Sequence, residues 1–170
     1  MKALTQKDVS SFFQLLQANK GRLEESFPNL LTSCSSNGRT AQFIRNQIVL
    51  WSQQQKFAFG LHLRKQPRMI GYISVKSIDW KIPKCEMAYF IDKDFAGKGH
   101  MSEAVKALID YCFEELDMVK LFARIMPHNL ASQALAAKVG FSKEATLRKD
   151  FRTHNNQLVD IQYWSILSED

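Results

Sequence analysis

Cys85-Glu86-Met87-Ala88-Tyr89-Phe90-Ile91, followed shortly by Ala96-Gly97-Lys98-Gly99-His100-Met101-Ser102-Glu103-Ala104, decides how this chain is read. The first seven residues include aromatic and β-branched β-formers and read as a strand. From Met101 to Leu116 the residues Ala104, Val105, Leu108, Ile109, Cys112 and Leu116 recur at helical spacing. Between strand and helix stand Gly97 and Gly99, two of only seven glycines. A helix start presents unpaired amides and about half a positive charge, so this order builds an anion site. Glycine permits positive φ and lets the backbone approach a phosphate closely. Lys98 adds charge between the two glycines. An ordinary turn is the alternative for Gly-x-Gly alone. No third glycine stands at the Rossmann offset, and the Gly-Lys-Ser/Thr of a P-loop is absent.

Working outward, the strand is the last of three that read as an antiparallel meander: Phe57 to Leu63, Met69 to Ile78 and Cys85 to Ile91. A turn is predicted at Lys65-Gln66-Pro67-Arg68. Upstream, Thr5-Gln6-Lys7-Asp8 offers a helix cap, with Val9, Phe12, Phe13, Leu15 and Leu16 behind it. A second helix is predicted from about Arg39 to Gln54, with Phe43, Ile44, Ile48 and Trp51 on one face. Asn37-Gly38, within Thr32 to Thr40, reads as a loop. Downstream come a strand at Leu121 to Ile125 and a short helix from Leu130 to Val139. Asn129 caps that helix and Gly140 lies just past its end. A hairpin closes the chain: Ala145 to Arg152, a turn at His154-Asn155-Asn156, and Leu158 to Leu167. The order implies an α+β class, a mixed α/β three-layer domain. With 170 residues and no linker, a single domain over 1–170 is expected.

Composition narrows the function classes. Hydrophobic residues make up 45% and charged residues 24%, which excludes a disordered or collagen-like chain. No stretch reaches the roughly 20 apolar residues of a membrane helix. Met1 to Ser10 is polar and carries no secretory signal, so a cytoplasmic location without membrane attachment is expected. Cys34, Cys85 and Cys112 form no C-x-x-C and read as free thiols. The four histidines add no metal-ligand spacing, so no metal site is expected. Net charge is +6, from 23 basic and 17 acidic residues, which favours an anionic ligand or a basic surface near nucleic acid, though many soluble proteins carry such a charge with no nucleic-acid role. The basic residues are scattered, so direct nucleic-acid binding is not expected.

With its flanks, the glycine loop resembles the acyl-CoA-binding core of the GNAT superfamily of N-acetyltransferases, Gln/Arg-x-x-Gly-x-Gly/Ala. Gly99 matches, while Ala96 and Met101 depart. The wider pattern is similar to the RimJ/RimL-type ribosomal-protein N-terminal acetyltransferases. It includes the strand Glu86 to Ile91, then Gly97 to Ala104, then Asn129-x-x-Ser132. Gly140-Phe141, Glu144, Leu147-Arg148 and the tail Asp160-Ile161-Gln162-Tyr163 complete it. Ala145 stands where that pattern has glycine. The likeness spans about residues 56–167.

The resemblance implies a twisted mixed sheet with helices on both faces and a V-shaped splay between Cys85–Ile91 and Leu121–Ile125. Pantetheine would lie in the splay on the backbone around Phe90 and Ile91. The pyrophosphate would rest on the amides of Gly97, Lys98, Gly99, His100, Met101 and Ser102. Asn129 would bond the pantetheine arm, cap its helix, or do both. Acetyl-CoA is the implied co-substrate, attacked directly by a primary amine, with a backbone N–H of the first splayed strand as oxyanion donor. The implied acceptor is a protein N-terminus, particularly of a ribosomal protein. A small amine (polyamine or aminoglycoside) and a non-catalytic acyl-CoA-binding module are the alternatives. Ribosome proximity and a homodimer are family expectations.

The chemistry assigns two further residues. An α-amine near pKa 7.7–8.0 is roughly a tenth neutral at pH 7, whereas a lysine near 10.4 costs about 4.6 kcal/mol to deprotonate. Glu86 is the candidate general base, its basicity raised by burial. Its alternative is a strand-edge carboxylate paired with a lysine. Ser132 is the candidate hydrogen-bond donor to the leaving sulfur, because the tyrosine that many superfamily members place one turn later is Ala136 here. Its alternative is an ordinary first-turn serine. Glu103 reads as compensation of the helix dipole, Tyr111 and Cys112 as core, and His128 as surface.

Overall fold

Along the strands the side chains alternate between two apolar layers, and the helices take their places from that alternation. The computed structural model describes residues 1–63 and 68–170. The turn expected at Lys65-Gln66-Pro67-Arg68 lies outside the described residues except for Arg68.

The chain runs β1 (Lys2–Ala3), α1 (Val9–Ala18), α2 (Lys20–Leu23), α3 (Pro28–Ser33) and α4 (Asn37–Ser52). The meander follows as β2 (Phe57–His62), β3 (Met69–Asp79) and β4 (Lys84–Ile91). Then come α5 (His100–Asp110), β5 (Lys120–Ile125), α6 (Leu130–Lys138), β6 (Ser142–Arg152) and β7 (Leu158–Leu167). The seven strands form one sheet in the order β1-β2-β3-β4-β5-β7-β6. All neighbours are antiparallel except β4 and β5, which run parallel. No helix among the described residues is long and apolar enough to cross a membrane.

Cys85 and Met87 of β4 pack into the layer shared with Val105 and Leu108 of α5 and Ala136 of α6. Phe90, on the opposite face of β4, packs with Phe12 and Leu16 of α1 and Ile44 of α4. The Asp8 carboxylate accepts from both the N–H and the hydroxyl of Thr5 at 2.8 Å, the cap expected there.

Several expectations are corrected. The loop expected over Thr32 to Thr40 shrinks to Cys34–Ser36, because Pro28 starts α3 and Ser36 caps α4 by accepting from the Arg39 N–H at 3.2 Å. Asn37 and Gly38 thus sit in a first helical turn, where amides lack intrahelical partners in any case. On α4, Ile48 is exposed and Gln47 is buried in its stead. The helix after the glycine loop ends in a π-turn, Tyr111–Glu115, which lets the Met118 N–H reach the Cys112 carbonyl at 3.0 Å. The three cysteines are free and buried.

Candidate active site

The parallel pair β4/β5 opens almost at once. Its register holds for Lys84↔Lys120, Cys85↔Leu121 and Glu86↔Phe122, and ends there. On the other side, β4 stays paired with β3 out to Gly71↔Ile91. From Met87 to Ile91 the β5-facing edge of β4 is therefore open, and Glu86 marks the apex of a V. This is the splay expected between these strands.

Two cavities flank the opening. The larger, about 390 Å³, runs from Phe90 and Ile91 to Ala96, Gly97, Gly99, Met101 and Ser102. Asn129, Ser132 and Tyr89 complete its inner end, and its size is that of a small-molecule site. The Phe90 ring turns away toward α1, stacking on Tyr72 at 5.7 Å, so backbone is what this strand offers the cavity at that position. The smaller cavity, about 120 Å³, is lined by Glu86, Lys76, Arg124, Phe151 and Ile161. Tyr89, Asn129, Ser132, Ser26 and Phe27 line both.

The glycine loop has the geometry of an anion cradle. Gly97 has φ +75° and Gly99 φ +82°, the left-handed region that residues with a Cβ avoid. Gly99 is the N-cap of α5, and its carbonyl accepts from the Glu103 N–H at 3.1 Å. The N–H groups from Gly97 to Ser102 have no partner among the described residues. Lys98 is folded back, its ammonium donating to the Asp94 carbonyl at 2.7 Å and lying over the Phe95 ring. The side chains of Lys98 and His100 are not brought to the cavity wall; Arg22 and Lys138 supply the cations there.

Asn129 uses one end of its amide. Its Oδ1 accepts from the Ser132 N–H at 3.1 Å and caps α6, while Nδ2 has no acceptor among the described residues. The Tyr89 hydroxyl donates weakly to the Ser132 carbonyl at 3.4 Å. Burial pushes the Tyr89 phenol up to about 12, so it stays protonated at neutral pH. Ala136, which stands in place of the superfamily's tyrosine, is buried.

Glu86 is buried but not alone. Its Oε1 meets Lys76 Nζ at 3.2 Å and Arg124 Nε at 3.1 Å. Its Oε2 accepts from the Ser77 hydroxyl at 3.3 Å. Lys76 faces Glu86 directly across β3/β4, as opposite charges favour. The lysine-paired alternative is thus present, with an arginine added. Arg124 also reaches Asp150 at 3.6 Å.

Sequence reasoning missed Asn19, Arg22, Phe27, Lys76, Arg124 and Tyr89. Tyr89 lies inside the quoted strand, where alternation from Cys85 and Met87 already places it on the α6 face. The others depend on tertiary contacts with no local signature.

Residues 1–142 match the acetyltransferase (GNAT) domain family, most of the chain. The chain belongs to the GNAT acetyltransferase family. It is 35% identical to the probable N-acetyltransferase YjcK of Bacillus subtilis (strain 168) over 69% of its length and 65% of that relative's. The chain therefore spans just under two thirds of that relative. It is 25% identical to the ribosomal-protein-serine acetyltransferase of Escherichia coli (strain K12), over 86% of this chain and 80% of that one. In fold it matches RimL, a ribosomal alpha-N-protein acetyltransferase solved in complex with coenzyme A. The TM-score is 0.88 at 22% identity, covering 98% of this chain and 92% of RimL. GNAT enzymes draw their acetyl group from acetyl-CoA.

Proposed function

We propose that this GNAT protein transfers the acetyl group of acetyl-CoA to the α-amine of a protein N-terminus by direct attack. The observation that carries the reading is the pair of cavities meeting at Tyr89, Asn129 and Ser132, one ending on the amide cradle and the other on Glu86. Acyl-CoA takes the first cavity, with its diphosphate on the amides of Gly97 to Ser102 and its pantetheine along Phe90–Ile91. The acceptor amine enters through the second, and the thioester lies where the two join. The Ser132 hydroxyl donates to the departing sulfur, the C–N bond forms as the C–S bond breaks, and the amine's proton passes to Glu86. Lys76 and Arg124 hold that carboxylate in place through Oε1, while Oε2, which among the described residues accepts from Ser77 alone, keeps lone-pair capacity.

The charge around Glu86 favours a peptide over a polyamine. A polycation needs unneutralised carboxylates, and here two cations already occupy Glu86. The likeness to a ribosomal-protein-serine acetyltransferase supports a ribosomal-protein N-terminus as the acceptor, and a net charge of +6 suits work beside the ribosome. The test is a thiol-release assay with acetyl-CoA against N-terminal peptides, internal-lysine peptides and polyamines. N-terminal peptides should turn over fastest; turnover with polyamines alone overturns the acceptor assignment.

Asn129 separates into two roles by substitution. Asn129→Ala should raise the KM for acetyl-CoA several-fold and also cost about 1 kcal/mol of stability through the lost cap. Asn129→Ser keeps a capping oxygen, so it should leave Tm unchanged while KM still rises. An unmoved KM in both variants removes the amide from the cofactor site.

A further inference from the structure

Asn19 sits at the break between α1 and α2, only 2% exposed, far in sequence from the glycine loop. Both ends of its amide are used. Nδ2 donates to the Leu15 carbonyl at 2.9 Å, closing the end of α1. Oδ1 accepts from the Lys93 backbone N–H at 2.9 Å, a bond that spans 74 residues. The first bond is an ordinary helix-terminal satisfaction. The second has no part in ending a helix and joins α1–α2 to the turn that carries the cradle.

That turn, Lys93–Phe95, is held from several sides. The Asp92 N–H donates to the Ile70 carbonyl at 2.8 Å, the Phe95 N–H to the Asp92 carbonyl at 2.9 Å and the Ala96 N–H to the Lys93 carbonyl at 3.3 Å. The Asp92 carboxylate is fully buried, accepts from the Asp94 N–H at 3.2 Å and pairs with Arg68. The Arg68 guanidinium lies over the Phe95 ring. The loop Gly97-Lys98-Gly99 departs from this turn, and its two glycines bring little stiffness of their own. The position of the cradle amides is therefore set by the turn, and Asn19 fixes the turn at its first residue. Asn19 also lines the acyl-CoA cavity.

We infer that Asn19 is a positioning residue for the acyl-CoA cradle, holding the Lys93–Phe95 turn so that the loop amides are preset for the diphosphate. The inference rests on the reading that the larger cavity takes acyl-CoA. Removing the bond leaves the Lys93 N–H without its Asn19 acceptor and lets the turn relax, so binding must reorder it.

The test compares the wild-type chain with Asn19→Leu, which keeps the branched shape of the side chain and removes both bonds. Calorimetry with coenzyme A should show about tenfold weaker binding. Steady-state assays should show a similar rise in the KM for acetyl-CoA, with kcat at saturation within about twofold. Amide hydrogen exchange should rise over residues 92–96, whose N–H groups are bonded within and to the turn, and stay unchanged in β7. Equal affinity and equal exchange in the two proteins overturn the inference. Should the variant fail to fold, exchange of the unliganded wild type decides: slow exchange at Lys93 supports the clamp, and free exchange overturns it. Absence of coenzyme A binding by the wild type would instead remove the acyl-CoA reading itself, so the two failures are distinguishable.

Discussion

Gly99→Val should all but abolish acetyl-CoA turnover at ordinary cofactor concentrations, and Gly99→Ala should weaken coenzyme A binding about tenfold. The reason is backbone conformation, not crowding. A Cβ built on Gly99 meets nothing within 4 Å, yet φ is +82°. Holding a non-glycine residue in the left-handed region costs about 1–2 kcal/mol, and a β-branched one costs more. The loop is bounded by solvent and cavity, so the cheapest relief is to rotate the peptide. That rotation turns amides away from the diphosphate. Gly97 has φ +75° and the same open surroundings, so the double alanine variant should lose about a hundredfold if the two losses add. Gly21→Ala is the control. Gly21 lies in α2 with nothing within 4 Å and no positive φ. Alanine there should stabilise the chain by about 0.5–1 kcal/mol without touching affinity. Calorimetric affinity and Tm, measured together, check all four variants. Unchanged affinity in both Gly99 variants would show that the cradle amides do not hold the diphosphate.

The residues that set those dihedrals were legible in the sequence because their signal is local. Glycine is the residue that tolerates positive φ, so a glycine pair between a strand and an amphipathic helix marks where such dihedrals fall, in an ordinary turn as much as in an anion cradle. Asn129 was legible for the same reason: a capping residue announces itself beside the helix it starts. The splay was reached through resemblance, since nothing in Leu121-Phe122-Ala123-Arg124-Ile125 says that pairing with β4 stops at Glu86↔Phe122. Residues 20–40 were poorly legible. Asn37-Gly38 carries strong turn chemistry, and Ser36 overrides it by capping a helix whose packing is tertiary. Ile48 and Gln47 exchanged roles because α4 is rotated slightly from the face its apolar residues suggest. β1 is two residues long and owes its place to pairing with Phe59 and Gly60, far along the chain. Arg124 reads as a polar outward residue of β5, and only the register across the sheet brings its guanidinium to Glu86.

That register makes Glu86→Gln the second large effect expected. Proton transfer to a positioned carboxylate is worth roughly 10²–10⁴-fold in general. The loss here should fall at the low end, about tenfold to a hundredfold in kcat, because an α-amine near pKa 7.7–8.0 is already partly neutral at pH 7. The pH profile gives the sign. With a peptide α-amine, kcat/KM should climb about tenfold per pH unit and level off near pH 8, where the substrate itself becomes neutral. Glu86→Gln should lower the plateau without moving that break. A lysine acceptor would shift the break to about pH 10.4. Tyr89, raised by burial to about 12, stays protonated throughout and adds no break of its own in that range. The substitution also leaves Lys76 and Arg124 facing each other without their shared anion. Both are about a third exposed, at 36% and 34%, so water absorbs part of the repulsion and Tm should fall by only a few degrees. Lys76→Met combined with Glu86→Gln removes one of the two cations and should recover the Tm without recovering kcat. Recovery of both together would make Glu86 an ionic strut between β3, β4 and β5. The amine would then reach the thioester already neutral, with water taking its proton.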